Sequence, residues 1–369
     1  MKQISVMIKP ASSLCNMRCR YCFYADVSSL RSVDSFGIME RDTTDRILEH
    51  IFADLEKGDL LTLAFQGGEP TLAGLDYFRH VSEAAAPHQS RGVQVQYALQ
   101  TNGLLLDEEW CRFLHEQNYL VGLSLDGPAL YHDANRPDAQ QKGTFRRVMA
   151  AKHRLDMQHV EYNVLMVLTN QMARHPQQIW RFIEEQDLRY VQFTPCMGPL
   201  EGADGSYILT PRRYAGFYNT IFDLWCQCYY QGRYRSIKLF DDLVSLLAFG
   251  ECNACGLLGR CQPQIIVEAD GSVYPCDFYV LDSFRTGNLR EDSLRNVYES
   301  PIVSDFLRRP KEPLSLCEDC PYRKICGGGC QRMRREVFYA PGDRECGHRL
   351  FLDSCIGRLQ RLADEIRRQ

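Results

Sequence analysis

The chain has 369 residues, of which 45% are hydrophobic and 24% charged, values that are ordinary for a soluble globular protein. The net charge of −4 gives no electrostatic basis for binding nucleic acid. The amino terminus MKQISVMIKP lacks the apolar core of a secretory signal, and no apolar run reaches the roughly 18 residues of a membrane helix. We therefore expect a cytoplasmic protein with neither a nucleic-acid partner nor a membrane segment.

From residue 1 to about residue 200, short apolar runs alternate with amphipathic stretches. The runs cover residues 4–10, 60–67, 93–101, 119–127, 161–169 and 190–196. Six strand-then-helix units predict a parallel sheet with right-handed crossovers. Six units are two short of a closed eight-stranded barrel. The sequence therefore predicts an α/β fold class with an open, partial (β/α)6 barrel, whose lateral cleft admits a large substrate.

The character of the chain changes after the barrel. A helical stretch covers residues 210–232, and beyond about residue 250 the apolar alternation weakens while cysteines crowd. The segment IIVEADGSVYPCDFYV, residues 265–280, predicts a hairpin that turns at Asp270 and Gly271. The final stretch is an amphipathic helix. We place a barrel domain at residues 1–232 and a cysteine-rich domain at residues 233–369.

The 17 cysteines are the unusual feature of the composition. In a chain without a secretory signal, clustered cysteines are more often metal ligands than disulfides. Cys15, Cys19 and Cys22 form a CxxxCxxC motif after the first strand, where barrel-like folds place their working loops. Three thiolates bind three irons of a 4Fe–4S cube and leave the fourth iron open. A zinc knuckle or unrelated buried thiols are the alternatives.

The CxxxCxxC motif, with Tyr21 before its last cysteine, resembles the radical S-adenosylmethionine superfamily. The resemblance implies that the open iron binds the methionine part of the cosubstrate. One electron from the cluster then cleaves the sulfonium and yields a 5′-deoxyadenosyl radical. The segment FQGGEPTL, residues 65–72, follows strand two, and its Gly68 and Glu69 are implied to meet the methionine amino group.

Further contacts with the cosubstrate are implied by the loops after the next strands. The segments LQTNG (99–103) and LSLDGP (123–128) resemble the family's ribose and carboxylate contacts, with Ser124 and Arg136 as the candidates. An arginine can bind the methionine carboxylate through two hydrogen bonds. The alternative for Arg136 is a surface position. Met197, after strand six, is a candidate contact to the adenine, and ordinary packing is its alternative.

A second group of cysteines resembles the SPASM extension of radical enzymes that modify peptides and proteins. The resemblance implies two auxiliary 4Fe–4S clusters. Their ligands are Cys255, Cys261, Cys276 and Cys330 for one cluster and Cys317, Cys320, Cys326 and Cys346 for the other. Spacing alone would group Cys330 with its neighbours, so the crossed assignment comes from the resemblance. Zinc is the main alternative, and Cys355 is an alternative to Cys346. The cysteines without a role are Cys111, Cys196, Cys226, Cys228, Cys252 and Cys355.

Segments spread over nearly the whole chain resemble anaerobic sulfatase-maturating enzymes. They are MIKPASSLCNMRCRYCFY, LAFQGGEPTLAGLDYF, ALQTNG, VGLSLDGP and IIVEADGSVYPCDFYVLD. The resemblance implies an oxidoreductase that converts a Cys or Ser in an unfolded sulfatase segment, Cys/Ser-x-Pro-x-Arg, to Cα-formylglycine. It also implies three 4Fe–4S clusters, S-adenosyl-L-methionine and a reducing electron donor such as flavodoxin or ferredoxin.

The same resemblance gives roles to three more residues. Asp277 resembles the general base that takes the proton of the target side chain, and Tyr24 and Gln66 border the same cavity and orient the substrate. The alternative for Asp277 is a hairpin-end aspartate bonded to backbone amides.

Two other functions remain as alternatives. One is a SPASM peptide maturase that forms crosslinks in a ribosomal peptide. Such proteins often carry an amino-terminal leader-binding domain, for which a first cluster cysteine at residue 15 leaves no room. The other is a zinc-bound binding or nucleic-acid module, which would require a basic face.

Overall fold

The computed structural model describes residues 1–202, 205–252, 254–309, 315–339 and 345–368. The chain forms two compact units, each assembled from separated segments. The first unit comprises Met1–Ser124, Arg136–Tyr162 and Pro263–Arg309, and the second comprises Leu125–Asn135, Asn163–Gln262 and Pro310–Gln369. These units describe packing, and the domain boundary after residue 232 stays a prediction.

Ten strands lie within the described residues. In chain order they are β1 Gln3–Ile8, β2 Leu60–Phe65, β3 Gln94–Thr101, β4 Tyr119–Ser124, β5 Tyr162–Leu168, β6 Tyr190–Pro195, β7 Ser236–Ile237, β8 Ile265–Val267, β9 Ser272–Tyr274 and β10 Gly287–Asn288. All six strands predicted up to residue 196 are present as β1 to β6.

Thirteen α-helices lie within the same described ranges. They are α1 Phe23–Ser29, α2 Arg41–Ala53, α3 Leu75–Ser90, α4 Glu108–Glu116, α5 Ala129–Asn135, α6 Phe145–Met157, α7 Pro176–Glu185, α8 Pro211–Tyr230, α9 Lys238–Phe249, α10 Leu294–Tyr298, α11 Pro301–Arg308, α12 Arg323–Cys326 and α13 Gly347–Arg367. The predicted helix at residues 210–232 is α8, and the predicted final helix is α13. No described helix is long and apolar enough to span a bilayer.

The sheet of the first unit is built around β1. Strands β1, β2, β3 and β4 are parallel neighbours in chain order, and β8 pairs in parallel with the other edge of β1. Strands β8 and β9 form the predicted hairpin, in which Gly271 has a φ of +86° that suits glycine. The carboxyl ends of β1, β2 and β3 therefore lie side by side, which brings the loops that follow them together.

Alternating side chains explain the core of the first unit. Leu61, Leu63 and Phe65 of β2 are buried and lie on one face of the strand. The Phe65 ring packs edge-on against Phe78 of α3, with ring centroids 5.0 Å apart. Burial of such rings accounts for a large share of the apolar stabilisation.

The second unit combines the parallel strands β5, β6 and β7 with long helices. Helix α13 packs on α8 and α9. The Phe351 ring of α13 lies 5.6 Å from Tyr218 of α8 and 6.0 Å from Phe240 of α9. This aromatic core holds the start of α13 in place, where Cys346 and His348 lie.

Candidate active site and cysteine centres

The first candidate centre is the loop between β1 and α1. Cys15, Cys19 and Cys22 are all half-buried in it, and Cys22 is the residue directly before α1. The backbone N–H of Met17 donates to Cys15 Sγ at 3.4 Å. Burial raises the pKa of the Cys15 thiol to about 11, although this hydrogen bond acts to lower the pKa. Such a thiol is deprotonated when a metal cation binds it, so the donor set suits iron.

The glycines after β2 pack against this cysteine loop. The N–H of Gly68 donates to Ser12 O at 2.9 Å, and that of Glu69 donates to Leu14 O at 2.7 Å. A Cβ at residue 68 would lie 2.1 Å from Leu14 O, so only glycine fits there. Gly68 therefore lies in close contact with the cysteine loop, and its contact with the cosubstrate stays a prediction.

Glu69 connects the ends of β2 and β3. Its buried carboxylate accepts hydrogen bonds from Thr71 Oγ1 at 2.6 Å, Thr101 Oγ1 at 2.7 Å and the N–H of Asn102 at 2.7 Å. Burial raises the pKa of Glu69, and these hydrogen bonds oppose the rise. The amide of Asn102 in turn donates to Asn16 Oδ1 at 2.8 Å, inside the cysteine loop. The Glu69 side chain thus braces the loop that carries the cysteines.

The other cosubstrate candidates are distributed over both units. Arg136 is only 6% exposed, so the alternative of a surface position is wrong, and its guanidinium lies 5.4 Å from the ring centroid of Tyr21. Ser124 ends β4 and accepts a hydrogen bond from Gln100 Nε2 at 3.1 Å. Met197 lies in the second unit, buried after β6. Their cosubstrate contacts stay predictions.

The candidate base lies in a hydrogen-bonded chain within the first unit. Tyr24 Oη donates to Asp277 Oδ2 at 2.6 Å, and Gln66 Nε2 donates to Tyr24 Oη at 2.6 Å. The structure brings together three residues that the sequence analysis placed at one cavity. Burial and the adjacent Asp277 carboxylate raise the pKa of Tyr24 well above its usual range, so its hydroxyl stays protonated.

Sequence reasoning missed Lys9, which directly follows β1. Its Nζ lies 2.9 Å from Asp277 Oδ1 in an ion pair, and 4.7 Å from the centroid of the Tyr24 ring. Lys9 and Asp277 are both buried. The signal was a lysine at the end of the apolar run ISVMIKP, a position where an unpaired charge would be costly.

A second pair of charges lies behind Lys9. Glu268, which follows β8, has Oε1 3.8 Å from Lys9 Nζ and 2.8 Å from a terminal nitrogen of Arg31. All of these groups are buried. Two cations and two carboxylates therefore form a balanced chain, Asp277–Lys9–Glu268–Arg31. These ion pairs join the region of the cysteine loop to the hairpin that precedes the candidate base.

In the second unit, four cysteines line one cleft with an empty volume of about 350 Å³. They are Cys317, Cys320, Cys326 and Cys346, the set implied by the resemblance. Burial raises the pKa of Cys326 to about 12, and its three companions add to the rise. Cys346 directly precedes α13 and accepts a hydrogen bond from the N–H of Arg349 at 3.5 Å.

Cys330 lies apart from that cleft. Together with Cys255 it lines a second cavity of about 750 Å³, which Tyr214 and His348 also border. Burial raises the pKa of Cys330, and the neighbouring Cys255 and Cys261 contribute in the same direction. Cys276 follows β9 in the first unit. Its membership of this ligand set stays a prediction.

The remaining cysteines lie in packed regions or loops. Cys355 is buried on α13, where burial raises its pKa to about 12 and Cys226 of α8 is a neighbour. Cys355 does not line the four-cysteine cleft. Among the described residues, no three His, Cys, Asp or Glu side chains surround a single point as the ligands of one metal ion would.

The chain is similar to known proteins along nearly its whole length. The model of the Radical SAM superfamily matches residues 10–183, and that of SPASM, an iron–sulfur cluster-binding domain, matches residues 255–321. A protein of Clostridium novyi (strain NT), named cysteine-type anaerobic sulfatase-maturating enzyme, is 40% identical over 92% of this chain and 90% of its own length.

Two further similarities bear on the substrate. A Bacteroides thetaiotaomicron protein named serine-type anaerobic sulfatase-maturating enzyme is 27% identical over 90% of this chain and 84% of its own length. A solved structure of native anSMEcpe with bound AdoMet and Cp18Cys peptide matches with a TM-score of 0.90 at 35% identity, covering 99% of both chains.

Proposed function

Because the chain belongs to the anaerobic sulfatase-maturating enzymes, a family of radical S-adenosylmethionine proteins with a SPASM domain, we propose that it oxidises a cysteine of an unfolded sulfatase to Cα-formylglycine. The same comparisons confirm the expected fold class, a partial barrel of the radical SAM type followed by a SPASM domain, and the expected enzyme class. The chemical proposal rests on the two hydrogen bonds that connect Gln66, Tyr24 and Asp277.

The proposed cofactors are S-adenosyl-L-methionine, one 4Fe–4S cluster at Cys15, Cys19 and Cys22, and two auxiliary 4Fe–4S clusters. When bound, the first cluster and the cosubstrate supply the radical that removes a hydrogen atom from the target Cβ, and the auxiliary clusters supply an acceptor for the second electron. The residues proposed to bind the cosubstrate are Tyr21, Gly68, Glu69, Ser124, Arg136 and Met197.

Asp277 is proposed as the base that takes the proton of the target thiol. Its Oδ1 is paired with Lys9 and its Oδ2 accepts from Tyr24, so the orientation of the carboxylate is set from both sides. Each carboxylate oxygen has more than one lone pair, so Asp277 can accept the thiol proton while both neighbours still contact it. Loss of one hydrogen atom, one proton and one electron from the Cβ–S group leaves a thioaldehyde, which water converts to the aldehyde with release of hydrogen sulfide.

Tyr24 and Gln66 are proposed to orient the substrate. Tyr24 Oη donates to the base, and its oxygen accepts from Gln66, so the phenol cannot turn without breaking two hydrogen bonds. The carboxamide oxygen of Gln66 is proposed to accept from a substrate backbone N–H. A fixed base and a fixed backbone acceptor would hold the target residue in one position, which favours abstraction of a hydrogen atom from its Cβ.

A cysteine target is favoured over serine by the comparisons. The cysteine-type relative is 40% identical, whereas the serine-type relative is 27% identical. The bound peptide of the matching solved structure is a cysteine peptide. We propose a Cys-x-Pro-x-Arg target, a reducing electron donor of the flavodoxin or ferredoxin type, and a cytoplasmic site of action.

The test is anaerobic incubation of the reconstituted enzyme with a Cys-x-Pro-x-Arg peptide and its Ser-x-Pro-x-Arg twin. We expect the cysteine peptide to lose its thiol and react with a hydrazine probe, as an aldehyde does. Faster conversion of the serine twin would contradict the target assignment. Loss of hydrogen without hydrazine reactivity would indicate a crosslink and support the peptide-maturase alternative instead.

A further inference from the structure

One buried histidine in the second unit borders both cysteine cavities. His348 lies in the first turn of α13, two positions after Cys346, and is 2% exposed. It lines the cleft of Cys317, Cys320, Cys326 and Cys346, and it also lines the cavity that contains Cys255 and Cys330. The aromatic packing of α13 on α8 fixes its position.

The two ring nitrogens of His348 have different surroundings. Nδ1 lies 3.1 Å from Tyr214 Oη, whereas the buried Nε2 has no hydrogen-bond partner within the described ranges. Buried polar nitrogens are nearly always paired, so Nε2 is available to a partner that the described residues do not supply. Both cavities beside His348 are lined by cysteines, which would hold sulfur-rich clusters.

The chemistry of the surroundings determines which nitrogen carries the proton. Cluster sulfides and cysteine thiolates accept hydrogen bonds and donate none. A hydrogen bond from Tyr214 Oη to Nδ1 leaves the proton on Nε2, where it can be donated to sulfur. The phenol thereby sets the tautomer of His348, as a second residue commonly does for histidines near metal centres.

Tyr214 and the first turn of α13 both lie beside the His348 ring. Tyr214 lines the cavity of Cys255 and Cys330 but not the four-cysteine cleft. His348 itself lines that cleft, and it lies two positions after Cys346, which is one of the four cysteines. The first turn of α13 already donates a backbone hydrogen bond to Cys346 Sγ in that cleft, from Arg349.

We propose that His348 Nε2–H donates a hydrogen bond to a sulfur of the cluster held by Cys317, Cys320, Cys326 and Cys346, and so raises the reduction potential of that cluster. Hydrogen bonds to sulfur stabilise the extra negative charge of the reduced state. The inference rests on the proposed auxiliary cluster at these four cysteines. His348 acts through the cluster and is a positioning residue.

The experiment is a redox titration of the anaerobically reconstituted full chain, followed by electron paramagnetic resonance. The step that belongs to this cluster is identified by its loss in Cys346→Ala. In His348→Phe we expect the reduction equilibrium of this step to become about tenfold less favourable, which is about 59 mV for one electron. His348→Gln keeps an N–H donor and is expected to retain most of the wild-type potential. In the wild type, the resonance spectrum of the reduced cluster should show a magnetic coupling to one exchangeable proton. This coupling should be absent in His348→Phe.

Controls separate this role from a structural one. His132 is also buried, on α5, and His132→Phe is expected to leave the potentials unchanged. Iron and sulfide analysis shows whether each variant still carries its clusters. If His348→Phe carries all its iron and the Cys346-dependent step keeps its wild-type reduction potential, the inference is wrong. A change confined to the potential of the other auxiliary cluster would also contradict it. Wild-type protein without a Cys346-dependent step would instead contradict the proposed cluster itself.

Discussion

Lys9 Nζ lies 2.9 Å from Asp277 Oδ1, and both residues are buried. Lys9 follows the first strand and Asp277 follows the hairpin of β8 and β9, so the pair forms only because β8 runs parallel to β1. Removing either partner leaves an uncompensated buried charge. The pair therefore keeps both buried charges compensated and orients the proposed base at the same time.

Asp277→Asn should separate cosubstrate cleavage from product formation. The amide keeps the shape of the side chain but cannot take the thiol proton. We expect 5′-deoxyadenosine to form and aldehyde formation to fall about a hundredfold or more, the usual contribution of a general base. Both products are measured by chromatography of one anaerobic reaction. Normal aldehyde yield would show that another group is the base.

Tyr24→Phe should loosen the base without removing it. The change deletes the hydrogen bond to Asp277 Oδ2 and the acceptor of Gln66 Nε2. We expect the amount of aldehyde formed per 5′-deoxyadenosine to fall about tenfold. The loss of one orienting hydrogen bond typically has an effect of about this size. Tyr234→Phe is the control, because it removes an exposed tyrosine hydroxyl that donates to Asp241 Oδ1. An unchanged ratio in Tyr24→Phe would remove the orienting role.

Lys9→Met should destabilise the protein by about 3–5 kcal/mol, because it leaves Asp277 and Glu268 without their shared cation. Arg79→Met removes an exposed partner of Asp76 and Glu109 and should cost much less, because solvent and salt screen surface ion pairs. The free energies of unfolding are measured by urea denaturation under anaerobic conditions. Equal losses in the two variants would mean that the Lys9 pair contributes no more than a surface pair.

Gly68→Ala should damage the first iron site. The added Cβ would lie 2.1 Å from Leu14 O and push the cysteine loop away from β2. We expect about a third of the iron to be lost and cosubstrate cleavage to disappear with it. Gly216→Ala, on the exposed face of α8 with no atom near the new Cβ, is the control and should keep its iron. Full iron content in Gly68→Ala would show that the loop tolerates the displacement.

The crossed arrangement of auxiliary ligands is tested by pairs of substitutions. If Cys255 and Cys330 serve one cluster, Cys255→Ala/Cys330→Ala should lose about as much iron as either single variant, about four irons. Cys330→Ala/Cys346→Ala should lose about twice as much. Grouping by spacing predicts the opposite for the first pair, because Cys330 would then share a cluster with Cys317, Cys320 and Cys326, and the loss of Cys255 and Cys330 together would remove two clusters. Cys355→Ala is expected to keep all its iron, because Cys355 lies outside the four-cysteine cleft.

The fold class and the outline of the chemistry follow from features that can be read along the sequence. The apolar runs placed six strands, and the hairpin turn at Asp270 and Gly271 was predicted correctly, because these features depend on local periodicity and backbone preference. The CxxxCxxC motif and the second cysteine field indicated cluster chemistry, since ligand spacing within one loop is a local property.

The pairing of side chains that lie far apart in the chain depends on the tertiary structure. Lys9 gave no local signal of its bond to Asp277, and nothing in the spacing of Cys317 to Cys330 separated Cys330 from its neighbours. His348 Nε2, which has no partner among the residues that the structure describes, is buried by the packing of α13 against α8. Contacts of this kind arise from strand order and helix packing, which join residues far apart in the chain and leave no periodic trace in the sequence.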